Sequence, residues 1–218
     1  MKKIKIILII VVILAAVLTI FLINKTYNTK KIGNNISNLK DYILNISSYE
    51  AEITVEITSN KNTNKYLILQ KYVSPNQSYQ EILEPENIKD FRTTYDGSTL
   101  KIENTRLDLN TIYEGYNYIG ENNLFLSSFI KDYIESEKSE CEEKDQVLIM
   151  KAQTSGTNKY NVYKTLYIDK KTAKPTKLEI KDVNKNTTVY ILYNEIKINS
   201  TKTEDIMAFK LQNLKEEI

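Results

Sequence analysis

An unbroken apolar run near the N-terminus constrains this chain more than any other feature of its sequence. Residues 6–23 are IILIIVVILAAVLTIFLI, and Thr19 is the only polar residue among these 18. At about 1.5 Å per helical residue, a run of this length spans roughly 27 Å, which is enough for a thin bilayer core. We therefore predict a transmembrane anchor over residues 6–23. The predicted anchor residues include Ile6, Ile10, Leu14, Leu18 and Ile23.

A signal peptide is the alternative interpretation of this run. Signal peptides have an apolar region of about 7–15 residues followed by a cleavage site with small residues. The run at 6–23 is longer, and no such site follows it. A lipoprotein signal also needs a Cys just after the run, whereas Cys141 is the only Cys in the chain. The sequence favours an uncleaved anchor and leaves cleavage open.

Lysines on both sides of the run bear on its orientation. Lys2, Lys3 and Lys5 precede the run, and three further lysines follow within residues 25–31. The short basic N-terminal tail favours an N-inside helix, with the rest of the chain on the extracytoplasmic side of the cell membrane. The predicted organisation is a cytosolic tip at 1–5, the anchor at 6–23, a polar tether at 24–33 and an exported domain at 34–218.

Composition excludes several kinds of chemistry. The 218 residues contain no His, which excludes an imidazole base, a Ser-His-Asp triad and a His-ligated zinc site. The formal net charge is +2, and without the three N-terminal lysines the chain has 27 basic and 28 acidic residues. A nearly neutral domain lacks the basic face that nucleic-acid binding requires. We therefore expect no enzyme, no catalytic residue, no metal site, no cofactor and no nucleic-acid partner.

The exported domain begins with two segments of different periodicity. Ile36, Leu39, Ile43 and Ile46 follow one another at spacings of 3, 4 and 3, which predicts an amphipathic helix over residues 34–47. In the next segment, YEAEITVEITS, apolar and polar residues alternate strictly. Alternation of this kind predicts a β-strand with one apolar face and one solvated face.

Strand and turn patterns continue through most of the domain. We predict strands at 65–73 and about 79–83, and a hairpin turn at Asp96-Gly97. Four more strand patterns follow residues 135–146, which are so rich in charge that they favour a solvated linker. Cys141 lies in this acidic stretch, and we expect an exposed, unreactive thiol there.

A second amphipathic helix is predicted from about residue 123 to 136. Its apolar face contains Leu126, Phe129, Ile130, Tyr133 and Ile134. No helix regularly separates consecutive strands, so the pattern argues against a parallel doubly wound sheet. We expect an α+β fold in which helices cover the apolar face of an antiparallel sheet.

The aromatic composition is unusual, with 16 Tyr and no Trp. Tyrosines cluster just before the second predicted helix, where their rings and hydroxyls suit a partly wet surface. One interpretation is strand-edge packing and a helix core, and the other is a lip that binds a ligand or partner. The candidate lip residues are Tyr113, Tyr116, Tyr118, Leu124, Phe125 and Phe129.

Several stretches of the domain resemble the LolA/LolB-like superfamily. These are YEAEITVEI, LYIDKKTAKPTKLEIKD and VYILYNEIKIN, followed by DIMAFKL near the C-terminus. Within that superfamily, SPNQSYQEILEPENIKDFRTTYDGSTLKIENTRL at 74–107 is similar to the GerS-type germination lipoproteins. The resemblance covers most of residues 34–211, but the chain lacks the lipobox Cys of that group.

The resemblance implies a curved antiparallel half-barrel with helices packed on its concave face. It implies a non-catalytic binding protein that acts in sporulation or germination by binding a cell-wall (cortex) amidase, as GerS binds CwlD. The expected location is the cell membrane, with the domain outside or in the spore intermembrane space. Two alternatives remain, namely a carrier of lipid or lipoprotein chains and an envelope sensor or anti-sigma partner.

Overall fold

The computed structural model describes residues 36–59, 62–116, 122–154 and 158–202. The predicted anchor, including Ile6, Ile10, Leu14, Leu18 and Ile23, lies outside the described residues, as do the tether and residues from 203 onward. Within the described ranges, no helix combines the length and apolar content needed to cross a membrane.

The described residues form two α-helices and eleven β-strands. The helices are α1 (Ile36–Leu44) and α2 (Leu126–Glu135). In chain order the strands are β1 (Ser48–Thr58), β2 (Thr63–Val73), β3 (Gln77–Glu84), β4 (Arg92–Tyr95), β5 (Leu100–Asn104), β6 (Leu109–Tyr113), β7 (Glu140–Lys144), β8 (Val147–Gln153), β9 (Tyr163–Asp169), β10 (Lys174–Lys181) and β11 (Thr187–Ile198). Short 3-10 turns occupy Glu86–Ile88 and Thr105–Leu107.

All eleven strands belong to one open, curved sheet with the order β6-β5-β4-β3-β2-β1-β11-β10-β9-β8-β7. Every neighbouring pair is antiparallel. Strand β1, the first of the described strands, pairs with β11, the last of them. The register of this pair shifts between Glu52 and Ile53. This shift is a bulge, which increases local twist and bending of a sheet.

Strand β1 has the alternating burial that its sequence predicts. Tyr49, Ala51, Ile53 and Val55 are at most 1% exposed, whereas the glutamates between them are partly exposed. Burial of one such aliphatic side chain contributes about 1.5–3 kcal/mol. The alternation therefore commits one face of β1 to the hydrophobic core.

Both helices pack on this apolar face, which confirms the predicted α+β arrangement. Leu39 and Ile43 of α1 and Leu126 and Phe129 of α2 are fully buried. The core cluster joins these residues to side chains from β1, β2 and β8 to β11. We call these strands, together with β7 and the two helices, the covered half of the molecule.

We call strands β3 to β6 the uncovered half because they lie outside the described helix-covered core, although Tyr79 and Tyr95 within them are buried, at 1% and 5% exposure. None of their side chains belongs to the described core cluster. Glu81 of β3 makes two polar contacts here. Its Oε1 accepts from Arg92 Nε of β4 at 2.9 Å, and its Oε2 accepts from the hydroxyl of Tyr79 in the same strand at 2.7 Å. Asn104 Nδ2 donates to the Lys89 carbonyl at 3.0 Å and fixes the turn that precedes β4.

The expected linker at 135–146 is wrong in its central part, where β7 pairs with β8. Backbone hydrogen bonds across this hairpin outweigh the high charge of the strand, whose Glu140 and Glu142 reach Lys151 at 3.6 and 2.8 Å. Cys141 lies opposite Met150 and packs against the core, so its thiol is half-buried rather than exposed. Burial raises the pKa of this thiol.

Candidate binding surfaces

The edge strand β6 differs sharply from the edge strand at the other end of the sheet. Strand β6 is LNTIY and has no charged residue, whereas β7 is ECEEK with four charged residues out of five. Ile112 and Tyr113 of β6 are 55% and 47% exposed. Charged side chains deter pairing at a sheet edge, whereas an uncharged apolar edge favours it. Strand β6 is therefore suited to contact with another polypeptide.

Two of the predicted lip residues lie together at this edge. The rings of Tyr113 and Tyr116 are 6.0 Å apart, at a distance typical of aromatic pairs. The backbone of Tyr116 is fixed because its N–H donates to the Ser98 carbonyl at 2.7 Å and its carbonyl accepts from the Tyr95 hydroxyl at 3.0 Å. Tyr118 lies outside the described residues.

The other three candidate lip residues belong to the covered half. Phe125 and Phe129 are 3% and 0% exposed, and Leu124 is half-buried against the core. The buried hydroxyl of Tyr49 accepts the Leu126 N–H at 3.1 Å, which holds the start of α2 against β1. Because Phe125 and Phe129 are buried in the core, they do not share an exposed lip with Tyr113 and Tyr116. A binding role for Tyr113 and Tyr116 stays a prediction.

A depression of about 220 Å³ lies on one face of the uncovered half, beside the exposed side chain of Ile112. Carboxylates from Asp96, Glu103 and Glu114 line it, together with the ammonium of Lys101. Lys101 is paired with Glu103 at 2.5 Å, and the described lining as a whole has an excess of negative charge. A partner with a basic side chain next to its apolar contact would match this surface.

A second surface is an open cleft of about 770 Å³ at one end of the covered half. Its apolar side chains lie on adjacent strands, since Ile57 of β1 is opposite Val189 of β11, which is opposite Ile180 of β10. The remaining lining is dominated by uncharged polar side chains, including those of Thr58, Ser59, Asn123, Asn158, Asn161 and Thr187.

A buried ammonium group lies behind this cleft. Lys164 of β9 is 0% exposed, and its Nζ donates to Asn123 Oδ1 and Ser128 Oγ, both at 2.9 Å. It also forms an ion pair with Asp132 Oδ2 at 2.5 Å. Burial lowers the pKa of Lys164, and the nearby Asp132 carboxylate opposes this effect. The three contacts use all three donors of the ammonium group and hold α2 against β9.

Sequence reasoning missed both Lys164 and the cleft. Residues alternate between buried and partly exposed along Tyr163–Asp169, and Lys164 lies on the same buried face as Leu166 and Ile168. A lysine among apolar residues on one face of a strand could therefore have indicated a buried ammonium group. The cleft has no comparable signal, because its lining comes from distant segments that each look like ordinary strand ends or turns.

These features define the class of the protein: an α+β domain on one open antiparallel sheet, with helices on one face. No other strand of the described residues pairs with the outer side of β6. The sequence model of the sporulation protein YdcC-like family matches residues 1–207. The chain belongs to this family. Membership confirms the relationship to sporulation proteins that the sequence resemblance implied.

Solved structures also resemble this chain. An uncharacterized conserved protein from Thermus thermophilus aligns with a TM-score of 0.51 and 10% identity, covering 78% of this chain and 91% of that chain. The structure of the CwlD amidase from Clostridioides difficile in complex with the GerS lipoprotein gives a TM-score of 0.47 and 21% identity, with coverage of 73% and 91%. The LolA superfamily protein NE2245 from Nitrosomonas europaea gives 0.40 and 9%, with coverage of 75% and 95%. No curated protein matches significantly.

Proposed function

We propose that this chain is a membrane-anchored, non-catalytic protein that acts in sporulation by binding a partner protein through the uncovered half of its sheet. The observation that carries the proposal is the contrast between its two sheet edges. Strand β7 is charged, whereas β6 is uncharged and exposes Ile112 and Tyr113. In a sporulation-family protein, an edge of this kind that no other described strand pairs with is suited to strand or side-chain contact with a partner.

A cell-wall amidase is the partner class that we propose. The stretch at 74–107 carries the sequence resemblance to the GerS-type proteins, and it contains β3, β4 and β5 of the uncovered half. The GerS lipoprotein is itself seen in complex with the CwlD amidase. In this chain the acidic depression beside Ile112 would attract a basic side chain of the partner, while the edge supplies the apolar contact.

The anchor has a distinct part in this proposal. Residues 6–23 would hold the domain at the extracytoplasmic face of the membrane. This would raise the effective concentration of the domain near a partner that is also close to the membrane. In this proposal the domain binds and positions its partner and catalyses no reaction. In this proposal the covered half would serve as a scaffold, and its helices would lie on the concave face of a half-barrel, as the resemblance implies.

The carrier alternative is less well supported. It places a lipid chain against Phe125 and Phe129, yet both side chains are buried in the core. A chain bound there would have to displace packed residues, which costs free energy comparable to creating a cavity. Protein binding through the uncovered half needs no such rearrangement.

The proposal is tested by reconstituting the full chain in detergent with the cell-wall amidase that is expressed with it during sporulation. We expect a complex on size-exclusion chromatography that is lost in the double variant Ile112→Lys/Tyr113→Lys. Leu192→Lys is the matched control, because Leu192 is 41% exposed on β11 in the covered half and its substitution should leave the complex intact. Failure of the wild-type chain to bind, or equal binding by the double variant, would contradict the proposal.

A further inference from the structure

Exposed apolar side chains are grouped at one end of the covered half. Tyr160 is 59% exposed in the turn between β8 and β9, Val183 is 55% exposed in the turn between β10 and β11, and Ile57 is 38% exposed near the end of β1. The strand registers place these two turns and the end of β1 at the same end of the sheet, which borders the cleft. Exposed apolar side chains that lie together mark contact surfaces for other molecules or for membranes.

Hydrogen bonds hold the two turns together. The Val183 N–H donates to the Lys159 carbonyl at 2.9 Å. The Tyr160 N–H donates to Asn158 Oδ1 at 3.0 Å, and the Tyr160 carbonyl accepts from Thr188 Oγ1 at 2.8 Å. Both apolar side chains therefore extend from a fixed backbone. A surface that contacts them has little backbone entropy to remove.

The turns at the opposite end of the same strands are different. Asp145-Gln146 joins β7 to β8, and Lys170–Ala173 joins β9 to β10. Neither turn contains an exposed large apolar side chain, and Ala173 is only 3% exposed. Turns favour Gly, Pro and small polar residues, so turn formation does not account for the exposed Tyr160 and Val183.

Two lysines lie beside the exposed apolar side chains. Lys159 and Lys185 are exposed, and neither forms an ion pair with a described carboxylate. Lys159 Nζ lies over the Tyr160 ring, 5.1 Å from its centre. The nearby Asp182 carboxylate offsets one of the two positive charges. We call Lys159, Tyr160, Val183 and Lys185 the turn patch, which thus joins apolar surface to a small excess of positive charge.

From these observations we infer that the turn patch rests on the surface of a membrane that contains anionic phospholipids. Val183 and the Tyr160 ring enter the headgroup region, where tyrosine places its ring in an apolar layer and its hydroxyl in water. The two lysine side chains extend to the lipid phosphates. A patch of this size is too small for a stable protein interface, but it is sufficient beside an anchor that keeps the membrane close.

The inference rests on the proposed anchor at 6–23 and adds an orientation to it. The 12 residues 24–35 could span at most about 40 Å, which is close to the length of about 36 Å expected for the 11 residues of β1. The anchor alone therefore does not decide which end of the sheet faces the bilayer. The turn patch makes that choice, and it leaves the opposite sheet edge at β6 available to a protein partner.

The test places the full chain in lipid nanodiscs and measures how close each end of the sheet lies to lipid. In a Cys141→Ser background, a fluorophore is attached at Asn184→Cys, which is exposed between Val183 and Lys185, or at Lys171→Cys in a turn at the opposite end. The discs contain phosphatidylcholine and phosphatidylglycerol, with a nitroxide quencher near the headgroups. We expect strong quenching of the probe at position 184 and loss of that quenching at position 171.

Variants and lipid composition locate the contact. Tyr160→Ser/Val183→Asp should reduce quenching at position 184 to the level at position 171, because it removes the apolar contacts and adds a negative charge. Leu107→Asp is the matched control, since Leu107 is 59% exposed in the turn before β6 and its substitution should change nothing. Discs of phosphatidylcholine alone should lower the contact by about fivefold, as expected for one net positive charge.

The possible results separate this inference from the proposed function. Equal quenching at positions 184 and 171, or unchanged quenching in the double variant, would overturn the inference and leave the anchor and the amidase complex intact. A full chain that does not co-elute with the nanodiscs would overturn the anchor as well. A probe at position 184 that the amidase shields and the lipid does not quench would assign the turn patch to protein contact, which also overturns the inference.

Discussion

The covered and uncovered halves of the sheet are stabilised by different interactions. In the covered half, α1 and α2 bury a continuous apolar core against β1, β2 and β8 to β11. In the uncovered half, none of the side chains of β3 to β6 joins that described core, although Tyr79 and Tyr95 are buried. The Arg92–Glu81 ion pair links β4 to β3, whereas Lys101 and Glu103 pair within β5. One sheet thus contains a region that the helices stabilise and a region whose edge strand β6 has no second partner among the described strands.

The contrast between the two halves indicates that different parts of one sheet can provide stability and partner binding. A substitution in the covered half should lower the free energy of unfolding and affect binding only through misfolding. A substitution on β6 should change binding with little effect on stability, because Ile112 and Tyr113 are half-exposed. The predictions below would sharpen this division or break it, and they run from the largest expected effect to the smallest.

Phe129→Ala in the covered half should have the largest effect on stability. Its ring is fully buried and lies 5.9 Å from the ring of Tyr133, so truncation leaves a cavity. We expect a loss of about 3–5 kcal/mol in the free energy of unfolding, measured by urea denaturation of the full chain in detergent. Tyr113→Ala is the control and should cost within about 0.5 kcal/mol. Similar losses for both would erase the distinction between the halves.

Lys164→Met tests the polar contact that joins α2 to β9. The substitution leaves Asp132 and Asn123 without the ammonium, but Asp132 is 18% exposed and can partly recover water contacts. We expect a loss of about 2 kcal/mol in unfolding free energy at pH 7, less than for a fully buried pair. Lys65→Met, at a side chain that is 67% exposed, should change stability by less than about 0.5 kcal/mol. A more stable Lys164→Met protein would show that packing alone holds α2.

The pH dependence of stability gives a further test of Lys164. Burial lowers the pKa of Lys164 in the folded protein, whereas the unfolded lysine keeps a pKa of about 10.4. Between these two values the unfolded state binds more protons, so the folded state gains stability as pH rises. We expect the unfolding free energy of the wild-type chain to rise relative to that of Lys164→Met as pH increases toward about 10. A relative fall over this range would contradict the assignment.

Glu81→Gln should produce the smallest effect, within the uncovered half. The Glu81 carboxylate is 13% exposed and joins Arg92 of β4 to Tyr79 of β3, so its neutral replacement weakens two hydrogen bonds. We expect a loss of about 1 kcal/mol in thermal unfolding experiments. Glu86→Gln removes the charge of a 75% exposed carboxylate and should have almost no effect. Equal effects would show that the uncovered half does not depend on its polar contacts.

Local periodicity predicts most of the covered half. The apolar spacing of residues 34–47 and 123–136 brackets α1 and α2, and the alternation of β1 gives its buried face, because these patterns depend on neighbouring residues alone. Periodicity misses strand β7 because its partner β8, and not its own charged sequence, supplies the hydrogen bonds that define it.

The candidate sites are less predictable for a similar reason. Sequence proximity to the tyrosines suggests a shared surface for Phe125 and Phe129, whereas Phe129 on α2 and Phe125 just before it are both buried in the core. The cleft depends on distant segments that meet only in the folded sheet, so its amides have no pattern in the sequence.

Hydrogen–deuterium exchange of the full chain, alone and with the amidase, tests the central claim most directly. The account predicts that the partner slows exchange of the amides of β6 and the neighbouring β5, while the amides of α1, α2 and β1 are unchanged. Protection confined to the covered half, with β6 exchanging at the same rate in both samples, would contradict the claim that the uncovered half is the docking surface.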